Sequence, residues 1–237
     1  MATVILVRHG RTTANSSGVL AGRAAGVHLD EVGRRQADQM AQRLTGVPIA
    51  RLVTSPLERC RETARAITGA TAERLRAVVD KGLTECDYGD WQGRALKDLA
   101  KERLWKAVQA QPSAVEFPGG ETMRAMQDRA VAAVRRHDAA VEAEHGPHAV
   151  WVAVSHGDVI KAVLADAVGS HLDLFQRIQV DPGSVSVVRY TELRPFLLCL
   201  NTSAGSLEHL RPPKKGRRRK PVADAAVGGG AGPGPIS

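Results

Sequence analysis

The feature that most constrains the fold is an alternation of short apolar runs with longer segments of helical periodicity. The runs with the composition of buried strands are Thr3–Val7, Arg51–Thr54, Leu75–Val79, Ala149–Val154, Val185–Tyr190 and Phe196–Leu200. The helical segments are Glu31–Leu44, Leu57–Thr68, Leu96–Gln109, Glu121–Glu144 and Asp158–Ala167. This alternation predicts an α/β fold, a three-layer α/β/α arrangement with a mostly parallel central sheet. Such a sheet binds its ligand outside the carboxyl ends of its strands.

The size and composition of the chain fit one domain of this kind. Its 237 residues are 43% hydrophobic but 3% aromatic, so the core must consist mainly of Ala, Val and Leu. The chain starts without a secretory signal pattern, and no apolar run is long enough to cross a membrane. Cys60, Cys86 and Cys199 follow no disulfide or zinc-binding pattern. We therefore expect a cytoplasmic protein.

The positive charge of the chain is concentrated at its C-terminal end. The net charge is +8, and the segment from Arg211 onward contains seven Lys or Arg and one acid, Asp224. The tail thus carries +6 and residues 1–210 carry +2. We expect residues 1–210 to fold as one domain and residues 211–237 to form a disordered basic tail without packed contacts. The nearly neutral domain argues against nucleic-acid binding, while a polyanion-binding role of the tail stays open.

Polar and cationic residues follow three of the predicted strands. Arg8 and His9 come directly after the first strand, and His156 follows the fourth. After the second strand we predict Ser55 as the N-cap of a helix, which places Arg59 in the first helical turn. Because the carboxyl ends of parallel strands meet at one edge of a sheet, these residues should converge on one crevice.

The residues that converge fit a phosphate group. Two arginines, two histidines and the amide of Asn15 supply the hydrogen-bond donors that phosphate oxygens require. The rival interpretation, metal binding by the histidines, is disfavoured because the adjacent arginines would repel a cation. A serine hydrolase is disfavoured because the chain has no Gly-x-Ser-x-Gly segment. We expect neither a metal nor another cofactor.

The segment "RHGRTTAN" resembles the signature of the histidine phosphatase superfamily, the phosphoglycerate-mutase-like proteins. Further segments match the family in order: "AGRAAGVHLDEVG", "TSPLERCRETA", "LTECDYGDWQG", "FPGGET" and "VSHGDVIKAVL". The resemblance extends from Val4 to about Asn201 and implies the phosphoglycerate-mutase-like fold. It leaves out the tail.

The resemblance also implies roles for individual residues. His9 corresponds to the nucleophile that accepts the phosphoryl group, and Glu85 corresponds to the proton donor. Arg8, Arg59 and His156 correspond to the residues that hold the phosphate. Further phosphate or substrate contacts are implied for Asn15, Gly22 and Gly157.

This mechanism sets the protonation state of each group. His9 must be neutral at its attacking nitrogen, so we expect its other nitrogen to donate to a backbone carbonyl. We expect His156 to be protonated and Glu85 to be a carboxylic acid when substrate is bound. Alternative donors to weigh against Glu85 are Asp87, Asp90 and Asp158.

The length of one segment separates phosphatases from mutases. Residues 94–120 are too few for the basic and tyrosine-containing insertion of the family's mutases, and "FPGGET" resembles the phosphatase branch. We therefore expect a phosphomonoesterase that acts on a phosphorylated small molecule through a phosphohistidine intermediate. The alternatives are a phosphoglycerate-mutase-type phosphomutase and a module that binds phosphoproteins or polyanions. The sequence identifies no substrate and leaves a homo-oligomer open.

Overall fold

A computed structural model describes residues 2–71, 75–203 and 228. Its sheet has six strands: β1 (Thr3–Arg8), β2 (Ile49–Thr54), β3 (Ala77–Val79), β4 (Val150–Ser155), β5 (Val185–Arg189) and β6 (Phe196–Thr202). Their order across the sheet is β3-β2-β4-β1-β5-β6. The first four strands in this order are parallel, and β5 runs antiparallel to both of its neighbours. The predicted α/β fold with a mostly parallel sheet is confirmed.

Helices cover both faces of this sheet. They are α1 (Thr13–Ser17), α2 (Glu31–Arg43), α3 (Glu58–Ala70), α4 (Leu96–Leu99), α5 (Arg103–Ala110), α6 (Met123–His145) and α7 (Gly157–Ala167). Alternate side chains of β1 point to opposite faces, as the two-residue period of a strand requires. Val4 and Leu6 join the core under α6 and α7, whereas Ile5 and Val7 join the core under α2 and α3.

One predicted helix, Leu96–Gln109, is in fact two helices. The backbone is extended at Glu102 (ψ 143°), which separates α4 from α5. The break allows Trp105 to stack on Trp91 with ring centroids 6.1 Å apart, and it allows Glu102 to accept a hydrogen bond from Arg94. Periodicity alone does not reveal such a break, because both short helices turn apolar residues toward the same core. Elsewhere the observed ends lie within two residues of the predicted ones, and several coincide.

The strand ends converge as predicted. Arg8 is paired with Ser155 in the parallel register of β1 and β4, and Thr54 is paired with Val154 in the register of β2 and β4. The residues that follow these strands therefore lie at one edge of the sheet.

Close backbone contact with α2 fixes the chain directly after β1. A Cβ atom at Gly10 would lie 2.3 Å from the carbonyl oxygen of Gly33, and a Cβ at Gly33 would lie 1.9 Å from that of Arg11. Both distances are far below contact distance, so this approach requires glycine at both positions.

The C-terminal tail and the absence of a membrane span were both predicted from the sequence. The predicted disordered tail, residues 211–237, lies outside the described residues except for Gly228, and the domain end at residue 210 stays a prediction. Within the described part of the chain, no helix has the length and apolar character needed to span a membrane.

Candidate active site

A cavity that opens to solvent lies where the strand ends converge. Its polar lining includes most of the residues that the sequence singled out. These are His9, Asn15, Gly22, Arg59 and Glu85. Arg8 and His156 are fully buried beside this lining.

His9 is held in one tautomer. Its Nδ1 lies 2.7 Å from the carbonyl oxygen of Gly10, which can only accept, so Nδ1 carries the proton. Burial and the charges of Arg59 and Arg8 hold the pKa of His9 well below its usual value. The imidazole is therefore neutral with a lone pair on Nε2, and the expected bond to a backbone carbonyl is confirmed.

Arg59 lies beside that lone pair. It is the second residue of α3, its Nε lies 3.3 Å from His9 Nε2, and its Nη2 donates to the carbonyl of Gly22 at 2.7 Å. Gly22 has a φ of +53°, a conformation that glycine adopts without strain. The remaining nitrogen, Arg59 Nη1, is buried and has no hydrogen-bond partner among the described residues. A buried guanidinium nitrogen without a partner marks a place for an anion.

Arg8 is the last residue of β1, and its side chain is fully buried. Its Nη1 donates to the carbonyl of Val180 at 2.7 Å, and its Nη2 donates to the carbonyl of Gly228 at 3.2 Å. The N–H of Gly228 donates to Asp158 Oδ2 at 2.9 Å. One residue of the tail thus contacts the site, although we expected the tail to make no packed contacts.

His156 is positioned by a residue to which the sequence analysis gave another role. Its Nε2 lies 2.7 Å from Ser55 Oγ. The prediction that Ser55 caps a helix is wrong: α3 begins at Glu58 after Leu57, without a side-chain cap. The "SP" pair after a strand is typical of a helix start, so nothing in the local sequence indicates that this hydroxyl faces a histidine 101 residues away.

The surroundings of His156 determine its charge state in the absence of substrate. Burial lowers its pKa well below the usual value, and the neighbouring Arg59, His9 and Arg8 lower it further. Its ring makes an edge contact with that of His9, with centroids 5.2 Å apart. His156 is therefore neutral in this ligand-free arrangement, and its protonation when substrate is bound stays a prediction. Gly157, the next residue, begins α7.

The pKa of Glu85 is raised, whereas the pKa values of both histidines are lowered. The Glu85 side chain is 4% exposed, and Oε1 accepts a hydrogen bond from the backbone N–H of Cys86 at 2.9 Å. Burial raises the pKa of Glu85 to about 7, and the nearby Asp158 adds to this, while Arg59 and Arg8 oppose it. A carboxyl group with this pKa carries a proton in a large fraction of molecules near neutral pH.

An ion-pair cluster fixes the backbone of Glu85. Its carbonyl accepts from Arg23 Nε at 2.9 Å and from Arg129 Nη2 at 3.0 Å. Both arginines also donate to the carboxylate of Glu121, at 2.8 and 2.6 Å. Arg23, Arg129 and Glu121 were not predicted as site residues from the sequence. The available signal was the "FPGGET" segment, whose glutamate is Glu121.

The alternative proton donors lie elsewhere. Asp87 pairs with Arg23 at 3.2 Å with its side chain 37% exposed, and Asp90 is exposed. Asp158 is buried and accepts a hydrogen bond from the hydroxyl of Tyr88 at 2.8 Å. Of the four acids, Glu85 is the one that lines the cavity.

Comparisons with known proteins agree with this geometry. Residues 4–203 match the histidine phosphatase superfamily (branch 1). Phosphoserine phosphatase 1 of Hydrogenobacter thermophilus is 31% identical over 206 residues, which cover 85% of this chain and 92% of that protein. A probable phosphoglycerate mutase, GpmB, of Yersinia enterocolitica is 32% identical over 217 residues, or 90% of this chain and 97% of that protein.

The fold agrees as well. The crystal structure of a putative alpha-ribazole-5'-P phosphatase from Escherichia coli has a TM-score of 0.72 and 27% identity, covering 85% of this chain and 96% of that one. The family match over residues 4–203 includes both histidines of the site and all six strands except Thr3, the first residue of β1. The chain belongs to the histidine phosphatase superfamily.

Proposed function

We propose that this protein hydrolyses phosphate monoesters of small molecules through a phosphohistidine on His9. The observation that carries the proposal is the pair of His9 and Arg59. His9 presents a lone pair on Nε2, and Arg59 places a guanidinium 3.3 Å from it with a buried Nη1 that lacks a partner. A phosphate oxygen on that nitrogen would bring phosphorus close to the nucleophile.

The first step forms a bond from His9 Nε2 to phosphorus and breaks the bond from phosphorus to the ester oxygen. Glu85 donates its proton to the departing oxygen, which leaves as an alcohol. In the second step the resulting Glu85 carboxylate takes a proton from water. The water oxygen bonds to phosphorus, the bond to His9 breaks, and inorganic phosphate is released.

Positive charge for the phosphoryl group comes from side chains. Arg8 and Arg59 carry it permanently, and a bound phosphate dianion would raise the pKa of His156 toward its protonated form. Asn15 accepts with Oδ1 from Thr12, which leaves its amide nitrogen to donate to phosphate. The carbonyl of Gly22 orients Arg59 by accepting its hydrogen bond. Gly157 is the first residue of α7, and the N-terminus of a helix favours a negative charge such as phosphate. This set supports a metal-independent reaction.

Hydrolysis is favoured over mutase chemistry by the short segment 94–120 and by the phosphatase names of relatives that share the fold. The segment folds as α4, α5 and a turn of 3₁₀ helix at Pro112–Ala114. The proposal includes a cytoplasmic location, which is supported by the free thiols of Cys60, Cys86 and Cys199.

Rapid quench with a ³²P-labelled aryl phosphate tests the nucleophile. The wild-type protein should accumulate an acid-labile, base-stable adduct that peptide mapping assigns to His9, and His9→Ala should form none. His171→Ala is the matched control, because His171 is exposed and lies outside the cavity lining. An adduct on another residue, or substantial turnover by His9→Ala, would overturn the proposal.

A further inference from the structure

The part of the cavity that does not face the phosphate is apolar. Beyond the polar residues already described, the lining includes Val19, Leu20, Ala21 and Leu96, with Tyr88 and Gly228. Gly228 lies against Leu20, since a Cβ atom at Gly228 would be 3.0 Å from Leu20 Cδ1. Leu20 and Tyr88 are buried, whereas Val19 and Leu96 are half-buried. Apolar side chains at the mouth of a polar site are available to pack against a bound molecule.

Backbone hydrogen bonds make this apolar part a fixed wall. The N–H of Leu20 donates to the carbonyl of Arg94 at 3.0 Å, and the N–H of Leu96 donates to the carbonyl of Gly18 at 2.8 Å. Val19 lies between these bonds in an isolated antiparallel bridge. We call Val19, Leu20 and Leu96 the apolar wall.

The cations next to the wall are engaged by acids. Arg23 donates to Glu121 at 2.8 Å, and Arg94 is paired with Glu102. Among the described residues of the cavity lining, Arg59 is the one cation, and its atoms face His9, Gly22 and the phosphate position. A carboxylate that entered beside the wall would lose water without gaining a counter-charge from the described residues there, which is unfavourable.

The wall and the proton donor share one cavity. Glu85 lines the cavity together with the wall, so a leaving oxygen within reach of Glu85 directs its alcohol into the space that the wall borders. We propose that the enzyme selects phosphate monoesters whose leaving alcohol is uncharged and apolar, and discriminates against alcohols that carry a carboxylate. This inference rests on the proposed phosphatase function and specifies its substrate class.

Two esters of similar length test the selectivity. Butyl phosphate ends in a methyl group, and 3-phosphooxypropanoate ends in a carboxylate. We expect kcat/KM to be at least about tenfold higher for butyl phosphate, because the carboxylate has no partner at the wall. Both alcohols are primary, and two methylene groups separate the carboxylate from the departing oxygen, so the two leaving groups differ little in basicity.

Substitutions in the wall test whether it causes the preference. Leu96→Arg introduces a cation, and we expect it to reduce the preference by about tenfold. Leu96→Gln is the matched control, because it adds polarity without charge and should not raise kcat/KM for the carboxylate ester. Val19→Arg repeats the test on the neighbouring segment if the first variant fails to fold. Both positions are half-buried and border the mouth.

The outcomes separate the two proposals. Equal or higher kcat/KM for 3-phosphooxypropanoate, with phosphohistidine formed from both esters, would overturn the inference and leave the phosphatase function standing. If neither ester forms phosphohistidine, the proposed function is overturned and this inference with it. Truncation after Leu210 removes Gly228 from the lining but leaves the wall, so butyl phosphate should still be preferred. A tenfold change on truncation would show that the basic tail, rather than the wall, sets the selectivity.

Discussion

Replacing Glu85 with Gln should stabilise the fold and impair catalysis at the same time. Glu85 is 4% exposed, and burial with the adjacent Asp158 raises its pKa from 4.5 to about 7. Gln keeps the size of the side chain and an oxygen to accept from the N–H of Cys86. The variant therefore removes the ionisation and retains the main contact.

The stability difference depends on pH in a defined direction. Between pH 4.5 and about 7 the folded protein holds a proton that the unfolded chain has lost, so the contribution of Glu85 to stability falls as the pH rises. One pKa unit corresponds to about 1.4 kcal/mol, so full ionisation costs on the order of 3 kcal/mol. Glu85→Gln should match the wild type near pH 4. At pH 8.5 its Tm should be higher by roughly 6–12 °C.

Glu85→Gln should slow catalysis, in contrast to its stabilising effect on the fold. At neutral pH about half of the Glu85 side chains are protonated, against about 0.3% for a carboxyl of ordinary pKa. Loss of this acid should slow phosphohistidine formation from an alkyl phosphate by about 10²–10⁴-fold, and far less for nitrophenyl phosphate, whose leaving group needs little protonation.

Thermal unfolding at pH 4.5 and 8.5 and single-turnover rapid quench measure the two effects. Glu192→Gln, at an exposed acid, controls for the general loss of a negative charge. Two results would refute the reasoning: a destabilised Glu85→Gln variant at pH 8.5, or equal losses of the first-step rate for both esters. The second result would turn attention to Asp158 as the donor.

Three further predictions follow from the site. Activity should survive exhaustive chelation because arginines supply the positive charge; loss in chelator with recovery on adding a divalent ion would contradict this. Ser55→Ala should lower the first-step rate about tenfold by releasing His156, and an unchanged rate in rapid quench would show that this bond is dispensable. Truncation after Leu210 removes the carbonyl of Gly228 from Arg8, so KM for a small phosphomonoester should fall while kcat stays within about twofold. A KM that does not change would show that this contact does not compete with substrate.

The sheet and the residues at its strand ends were predictable because they depend on local order in the sequence. Arg8 ends β1 and His9 follows it. His156 directly follows β4, and Arg59 lies just inside a helix. Parallel pairing of the strands then brings these residues together, independently of the conformation of the intervening loops.

Contacts between distant segments were not predictable in this way. The pattern around Ser55 fits a helix cap equally well, and the fold determines that its hydroxyl faces a histidine instead. The cluster of Glu121 with Arg23 and Arg129 likewise joins residues from three segments. The charge state of His156 depends on burial between two arginines, which a single sequence does not display.

The contact between Gly10 and Gly33 has a consequence for engineering and for motif searches. Because a Cβ at residue 33 would lie 1.9 Å from the carbonyl oxygen of Arg11, a saturation library at that position should return glycine alone among active clones. The usual three-residue signature around His9 is thus one half of a discontinuous motif whose other half is a helical glycine. Loop grafts between the two halves should be accepted as long as they return α2 to the same place.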